Sequence, residues 1–145
     1  SDKSSIFISN NNNQFFSIDM LSGAINWKQD LSSELRPAII GDYLVTISDN
    51  GLLIIINKET GQIVRINDLL KNIKDKRKKK YQPTGFLVGK LNIYVSTNNG
   101  RILVVNFKEG KIEKMLKLDN NKLQRPVYFN QSLYIAKDNS IIRLN

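Results

Sequence analysis

The chain of 145 residues contains neither cysteine nor histidine. Thiol nucleophiles, disulfides, Cys/His zinc sites and imidazole acid–base catalysis therefore all lack their essential group. Carboxylates are few as well, 13 against 22 lysines and arginines. Asp19, Asp49, Glu59, Glu109 and Asp138 all fall in turns, where Asx-type bonding to the local backbone accounts for such residues. No apolar run approaches the roughly 20 residues of a transmembrane helix. The leading Ser1-Asp2-Lys3-Ser4-Ser5 carries no hydrophobic signal core, so any targeting segment is expected to have been removed or to lie outside this sequence. Gly85 and Gly89 flank a strand and no helix follows, so no phosphate-binding loop is formed. These absences lead us to expect no catalytic residue, no metal site and no cofactor.

What is present is a repeat. Ile6-Phe7-Ile8-Ser9-Asn10-Asn11-Asn12-Asn13 aligns without gaps on Leu44-Val45-Thr46-Ile47-Ser48-Asp49-Asn50-Gly51. It aligns again on Ile93-Tyr94-Val95-Ser96-Thr97-Asn98-Asn99-Gly100 and on Leu133-Tyr134-Ile135-Ala136-Lys137-Asp138-Asn139-Ser140. Ten residues after each of the first three turns comes a second glycine: Gly23, Gly61 and Gly110. Asn50-Gly51 and Asn99-Gly100 are hairpin signals, because a two-residue primed turn needs the positive φ that Asn and Gly adopt at little cost. A period of about 40 residues made only of strands and tight turns is the mark of propeller blades. The expected fold is all-β: four-stranded antiparallel blades forming a partial propeller of about 3.5 blades. With 41% apolar residues the chain is rich enough for a true core.

In the second repeat the four strands, innermost first, read Pro37 to Ile40, Tyr43 to Ser48, Leu52 to Asn57 and Gln62 to Ile66. In the third they read Thr84 to Val88, Leu91 to Thr97, Arg101 to Phe107 and Lys111 to Leu118. Unbroken runs such as Leu52-Leu53-Ile54-Ile55-Ile56 fit central strands covered on both faces. Lys111 to Leu118 interleaves charge with apolar residues, as an outer strand must to resist edge pairing. The repeats occupy approximately residues 1–36, 37–67, 83–120 and 125–145 of one domain, with a basic insertion at 68–82. The tally of three, four, four and three strands leaves both terminal blades incomplete, so the expectation is a sector of a larger propeller, or two copies that complete one another through open edges. An N-terminal strand of a longer protein would close the last blade after Leu144-Asn145.

The insertion breaks the period: Gly23 to Gly61 is 38 residues, Gly61 to Gly110 is 49. Between residues 68 and 81, Lys71, Lys74, Lys76, Arg77, Lys78, Lys79 and Lys80 face only Asp68 and Asp75, which supplies more than half of the net charge of +9. Asn67 or Asp68 is placed to cap a helical turn presenting Leu69, Leu70 and Ile73 on one face, with a mobile run beyond Lys76.

The segments Asp19-Met20-Leu21-Ser22-Gly23-Ala24-Ile25-Asn26-Trp27 and Asn57-Lys58-Glu59-Thr60-Gly61-Gln62-Ile63-Val64-Arg65 resemble the quinoprotein (PQQ-type) repeat, Ala-x-Asp-x-x-Thr-Gly-x-x-x-Trp. In that repeat the Trp docks between adjacent blades. Only Trp27 is kept; Arg65 and Lys114 stand at the equivalent places, a departure that counts against a quinone-binding enzyme. Tyr94-Val95 through Gly100, Val104-Val105-Asn106, Gly110-Lys111-Ile112, Arg125-Pro126-Val127-Tyr128, Ser132-Leu133-Tyr134-Ile135 and Ile141-Ile142-Arg143-Leu144 are similar to the final blades of the BamB family of outer-membrane assembly lipoproteins. The resemblance implies an eight-bladed, periplasmic, non-catalytic scaffold, lipid-anchored through a cysteine upstream of this chain, that binds a BamA-like barrel-assembly subunit. It places no partner-binding residue here by motif.

Two sites carry the expectations. Trp27 is read as a structural docking residue rather than a ligand platform, and the recurrent Tyr94 and Tyr134 as core. Lys76, Arg77, Lys78, Lys79 and Lys80 are the candidate binding residues, either a solvated loop or a surface for an anionic membrane or an acidic partner. Nucleic acid fits poorly, because Tyr81 is the only stacking aromatic in the run. The functional classes left open are an interaction scaffold, a domain of a quinone-dependent dehydrogenase, and a sensor propeller.

Overall fold

Four antiparallel sheets follow one another along the chain in a computed structural model that describes residues 5–10 and 12–144. The leading Ser1 to Ser4, Asn11 of the first turn and the terminal Asn145 lie outside the described residues. The first sheet is β1 (Ser5–Asn10), β2 (Gln14–Asp19) and β3 (Ile25–Asp30); the second is β4 (Ala38–Ile40), β5 (Tyr43–Ile47), β6 (Leu52–Asn57) and β7 (Ile63–Asp68). The third is β8 (Pro83–Val88), β9 (Asn92–Thr97), β10 (Arg101–Asn106) and β11 (Ile112–Lys117), and the fourth is β12 (Val127–Phe129), β13 (Ser132–Lys137) and β14 (Ser140–Leu144). In every sheet each strand pairs with its sequence neighbour, so the three, four, four and three strands of the repeat are present as β-propeller blades.

The repeat extends to atomic detail in the turn between third and fourth strands. Asp19 Oδ1 accepts the amides of Leu21 and Ser22 at 3.1 and 2.8 Å, and Asn57 Oδ1 accepts those of Glu59 and Thr60, both at 3.0 Å. Asn106 Oδ1 accepts the amide of Glu109 at 2.9 Å. Asx bonding therefore does explain Asp19, but in the next two repeats the acceptor is Asn, not Glu59 or Glu109. Asp49 and Asp138 depart further, because their carboxylates reach other loops, Asp49 to Ser32 and Asp138 to Asn121. The bulges repeat too: pairing shifts register at Ser17/Ile18 in the first blade and at the equivalent Val104/Val105 in the third.

Two compact units divide the chain, residues 1–49 with 53–66 and residues 50–52 with 67–145. In the first, Phe15, Leu44, Val45, Ile47, Leu53 and Ile56 are fully buried. In the second, Ile102, Val104, Leu123, Leu133 and Ile135 form one cluster, with Leu87, Tyr94, Leu116, Leu118 and Leu144 packed against it. The continuous runs are covered on both faces: β6 and β10 share the same profile, four buried residues between two half-buried ends.

The insertion differs from expectation in where it is helical. β7 continues to Asp68, whose Oδ1 accepts the Leu70 amide at 2.8 Å in a tight turn instead of starting a helix. The helical turn, α1 (Asp75–Lys78), begins later and passes into a 3-10 turn over Lys79–Tyr81, so the segment beyond Lys76 is folded backbone.

Candidate functional site

Asp68 and the β9–β10 turn hold the basic segment from two sides. Leu69 donates its amide to the Gly51 carbonyl at 3.0 Å, and Leu69 and Leu70 are 5% and 2% exposed. At the other end, the Asn98 amide reaches the Gln82 carbonyl at 3.0 Å and Asn98 Nδ2 reaches the Lys79 carbonyl at 3.1 Å. The Arg101 guanidinium lies 5.5 Å from the centroid of the Tyr81 ring and donates to the Asn99 carbonyl at 2.8 Å. The loop is thus clamped through main-chain atoms and one aromatic ring, which leaves its charged side chains free of structural duty.

Lys78 is the exception. Its Nζ sits 3.2 Å from Asp75 and 3.6 Å from Asp68, and the Asp75 hydrogen bond, with both carboxylate charges, raises its pKa above the ordinary lysine value. Lys76, Arg77, Lys79 and Lys80 are exposed and have no acidic partner among the described residues. Of the five predicted binding residues, four form a cationic face and one is a strut beneath it. Lys122, a residue the sequence reading missed, is exposed in the β11–β12 connection, where the Leu123 amide bonds the Thr97 carbonyl at 3.2 Å, on the other flank of the β9–β10 turn from Gln82. Its signal was position, since both segments are connections from a fourth strand to the next first strand.

Trp27 lies elsewhere, in the first unit. It is 9% exposed, donates Nε1 to the Lys58 carbonyl at 2.9 Å and stacks near Phe15 at 6.1 Å between centroids. Its ring occupies the space over Gly61, whose Cβ would come within 2.6 Å of it and whose φ of +72° few other residues adopt. Gln29 closes the same contact by donating to the Gly61 carbonyl at 2.6 Å. The ring therefore seals β3 against the β6–β7 turn and offers no open face to a ligand.

A polar cavity of about 390 Å³ also opens in the first unit, lined by Ser9, Asn10, Asn13, Ser32, Glu34 and Asp49. Asp49 is engaged within it, accepting from Ser32 Oγ at 2.5 Å and from the Glu34 amide at 3.2 Å. Among the described residues no three acidic side chains converge as a metal cage would require.

Fold and repeat define a class: a PQQ-type β-propeller segment, BamB-like in its repeat. A propeller family described as outer membrane protein assembly factor BamB matches residues 1–67, the stretch that carries Trp27 and two of the Asx–Gly turns. BamB from Moraxella catarrhalis superposes with a TM-score of 0.75 at 19% identity, over 99% of this chain and 40% of that one. Saccharomyces cerevisiae Sqt1 does so at 0.75 and 12% identity, over 99% and 46% of the two chains. The computationally designed Ika4 protein does so at 0.73 and 12%, over 99% and 86%. At these identities the shared property is the fold, and the chain spans about 40% of the length of the BamB structure it resembles. No curated protein sequence matches the chain.

Proposed function

We propose that this chain is a sector of a BamB-like scaffold in the periplasm, held at the outer membrane by a lipid anchor on the intact protein, that assists β-barrel assembly by binding a BamA-like subunit without catalysing a reaction. The observation that carries this reading is the BamB family match over residues 1–67. Loop ends and strand edges supply the means, because extended peptides and loops of a partner pair with exposed sheet edges through main-chain hydrogen bonds.

The test is co-purification of the intact protein with the barrel-assembly subunit of its own source, together with the outer-membrane barrel content of a deletion strain. The expected result is a stable complex and a lowered barrel content. A protein that forms no complex, and whose loss leaves barrel content unchanged, excludes the assembly role. Turnover of an alcohol or aldose only when a quinone and calcium are added would move it to the dehydrogenase class.

A further inference from the structure

We propose that the end of the second unit formed by the insertion and by the β11–β12 connection is an electrostatic docking surface for a bilayer bearing anionic headgroups. Its residues are Lys76, Arg77, Lys79, Lys80 and Lys122. This goes beyond the assembly role and does not depend on it.

The argument begins with the carboxylates. In residues 68–82, 98–100, 118–126 and 137–139 there are ten basic side chains against four acidic ones. All four acids are engaged: Asp68 and Asp75 hold Lys78, Asp119 pairs with Lys137, and Asp138 accepts from Asn121 Nδ2 at 3.3 Å. Ten cations against four carboxylates leave this end with a net charge of +6, and the carboxylates are held at Lys78, Lys137 and Asn121 instead of at the outer cations, so the field there is positive.

The shape of the site selects the partner. Neither α1 nor the 3-10 turn after it contains a buried residue, and the apolar Leu69 and Leu70 are packed away. A folded protein partner is held by a buried aromatic or apolar anchor at the centre of its interface, and this surface has none. Single-stranded nucleic acid needs open aromatic faces, but Tyr81 lies beneath Arg101. A headgroup layer needs neither anchor nor ring. It needs several hydrated point charges within reach of one plane, for which lysine is better suited than a bidentate group, and four of the five residues are lysines.

The experiment is co-sedimentation of the chain with phosphatidylcholine vesicles and with vesicles that also contain phosphatidylglycerol, at low and high salt. Binding is expected only to the anionic vesicles, and raising salt from about 0.05 M to about 0.5 M removes it, because the surface potential is then screened within a few ångströms. Each cation near such a surface contributes about a fivefold gain in partition. The variant with Lys76, Arg77, Lys79 and Lys80 all changed to Gln should therefore lose at least about 100-fold. Removing the same charge at Lys90, Lys111, Lys114 and Lys117 should cost less than about fivefold. Lys122→Gln alone, a single exposed change that spares the insertion, should reduce binding by about fivefold. Equal losses in the two quadruple variants would overturn the proposal. So would a wild-type chain that ignores phosphatidylglycerol vesicles but binds poly-glutamate or an oligonucleotide.

Discussion

β10 and β14 occupy the same place in successive repeats, yet they differ in burial. Their registers superpose: Ile102 lies opposite Ser96 as Ile141 lies opposite Ala136, and Leu103 opposite Val95 as Ile142 opposite Ile135. Ile102 and Leu103 are fully buried, whereas Ile141 is 72% exposed. Val104, 9% exposed, has as its counterpart the exposed Arg143, whose Nε donates to Ser132 Oγ at 3.1 Å. Both strands read as apolar runs, so hydrophobicity alone does not place the third strand of this repeat in a core. β10 lies between β9 and β11 and its Ile102 and Val104 pack in one cluster with Leu123, Leu133 and Ile135, while β14 has β13 on one side and no described strand on the other. Apolar runs at equivalent register thus differ in burial according to what packs around them, and β14 carries the exposed Arg143 where β10 carries the buried Val104.

The largest expected effect sharpens that contrast at the turn before each strand. Gly100 has a φ of +77°, and a Cβ there would come within 2.2 Å of the Asp119 carbonyl oxygen, a backbone atom that cannot swing aside. Gly100→Val should cost about 4 kcal/mol. Ser140, aligned with it in the sequence repeat but already the first residue of β14, is exposed and absent from the positive-φ residues, so Ser140→Val should stay within about 0.5 kcal/mol. Urea midpoints of the two variants decide the matter, and similar losses would break the comparison. Next in size, Leu103→Ala removes a fully buried side chain and should cost about 3 kcal/mol, against about 1 kcal/mol for the half-buried Ile142→Ala.

How much of this was legible beforehand follows the range of the interactions. The hairpins and the Asx–Gly turns rest on residues two to five apart, and Asn99-Gly100 or Asn57 to Gly61 announce them locally, but the turn is not the two-residue primed type expected, since Gly51 and Gly100 have positive φ and Asn50 and Asn99 do not. The apolar runs of β6 and β10 likewise declared double-sided cover. Legibility failed where partners are distant. Asp49 reads as a turn residue but serves Ser32 across 17 positions, and the cavity it lines joins loops with no shared motif. Asp68 has the chemistry of a helix cap, yet pairing with β6 carries β7 through it, so the helical turn is displaced to Asp75. Lys78 is indistinguishable in sequence from its neighbours; only the folded loop brings Asp68 back to it.

The third and fourth blades meet at a titratable pair, and acid should loosen that joint before the sheets themselves. Asp119 accepts from Lys137 and from the amides of Asn121 and Asn120, and these bonds, the lysine first, lower its pKa to about 2. A carboxylate lowered in the folded state stabilises the fold above its ordinary unfolded value near 3.8, and loses that contribution as pH falls toward 2. Thermal midpoints between neutral pH and pH 2 should therefore drop along a limb that Asp119→Asn flattens. A limb of unchanged steepness in the variant would assign the acid sensitivity to other carboxylates.

The smallest expected effect is the sharpest test of the comparison, because it asks an apolar residue to do nothing. Ile141 is as large as Ile102 and lies at the same register, so a core role predicts a loss of about 1 kcal/mol or more on truncation to valine. Exposure predicts less than about 0.3 kcal/mol for Ile141→Val, since the methylene removed is already in water. Ile102→Val, by contrast, should cost about 1 kcal/mol, as a buried methylene does. If Ile141→Val matches Ile102→Val in the isolated chain at low concentration, something covers β14. A loss at Ile141 that grows with protein concentration would identify the cover as a second copy of the chain, by mass action.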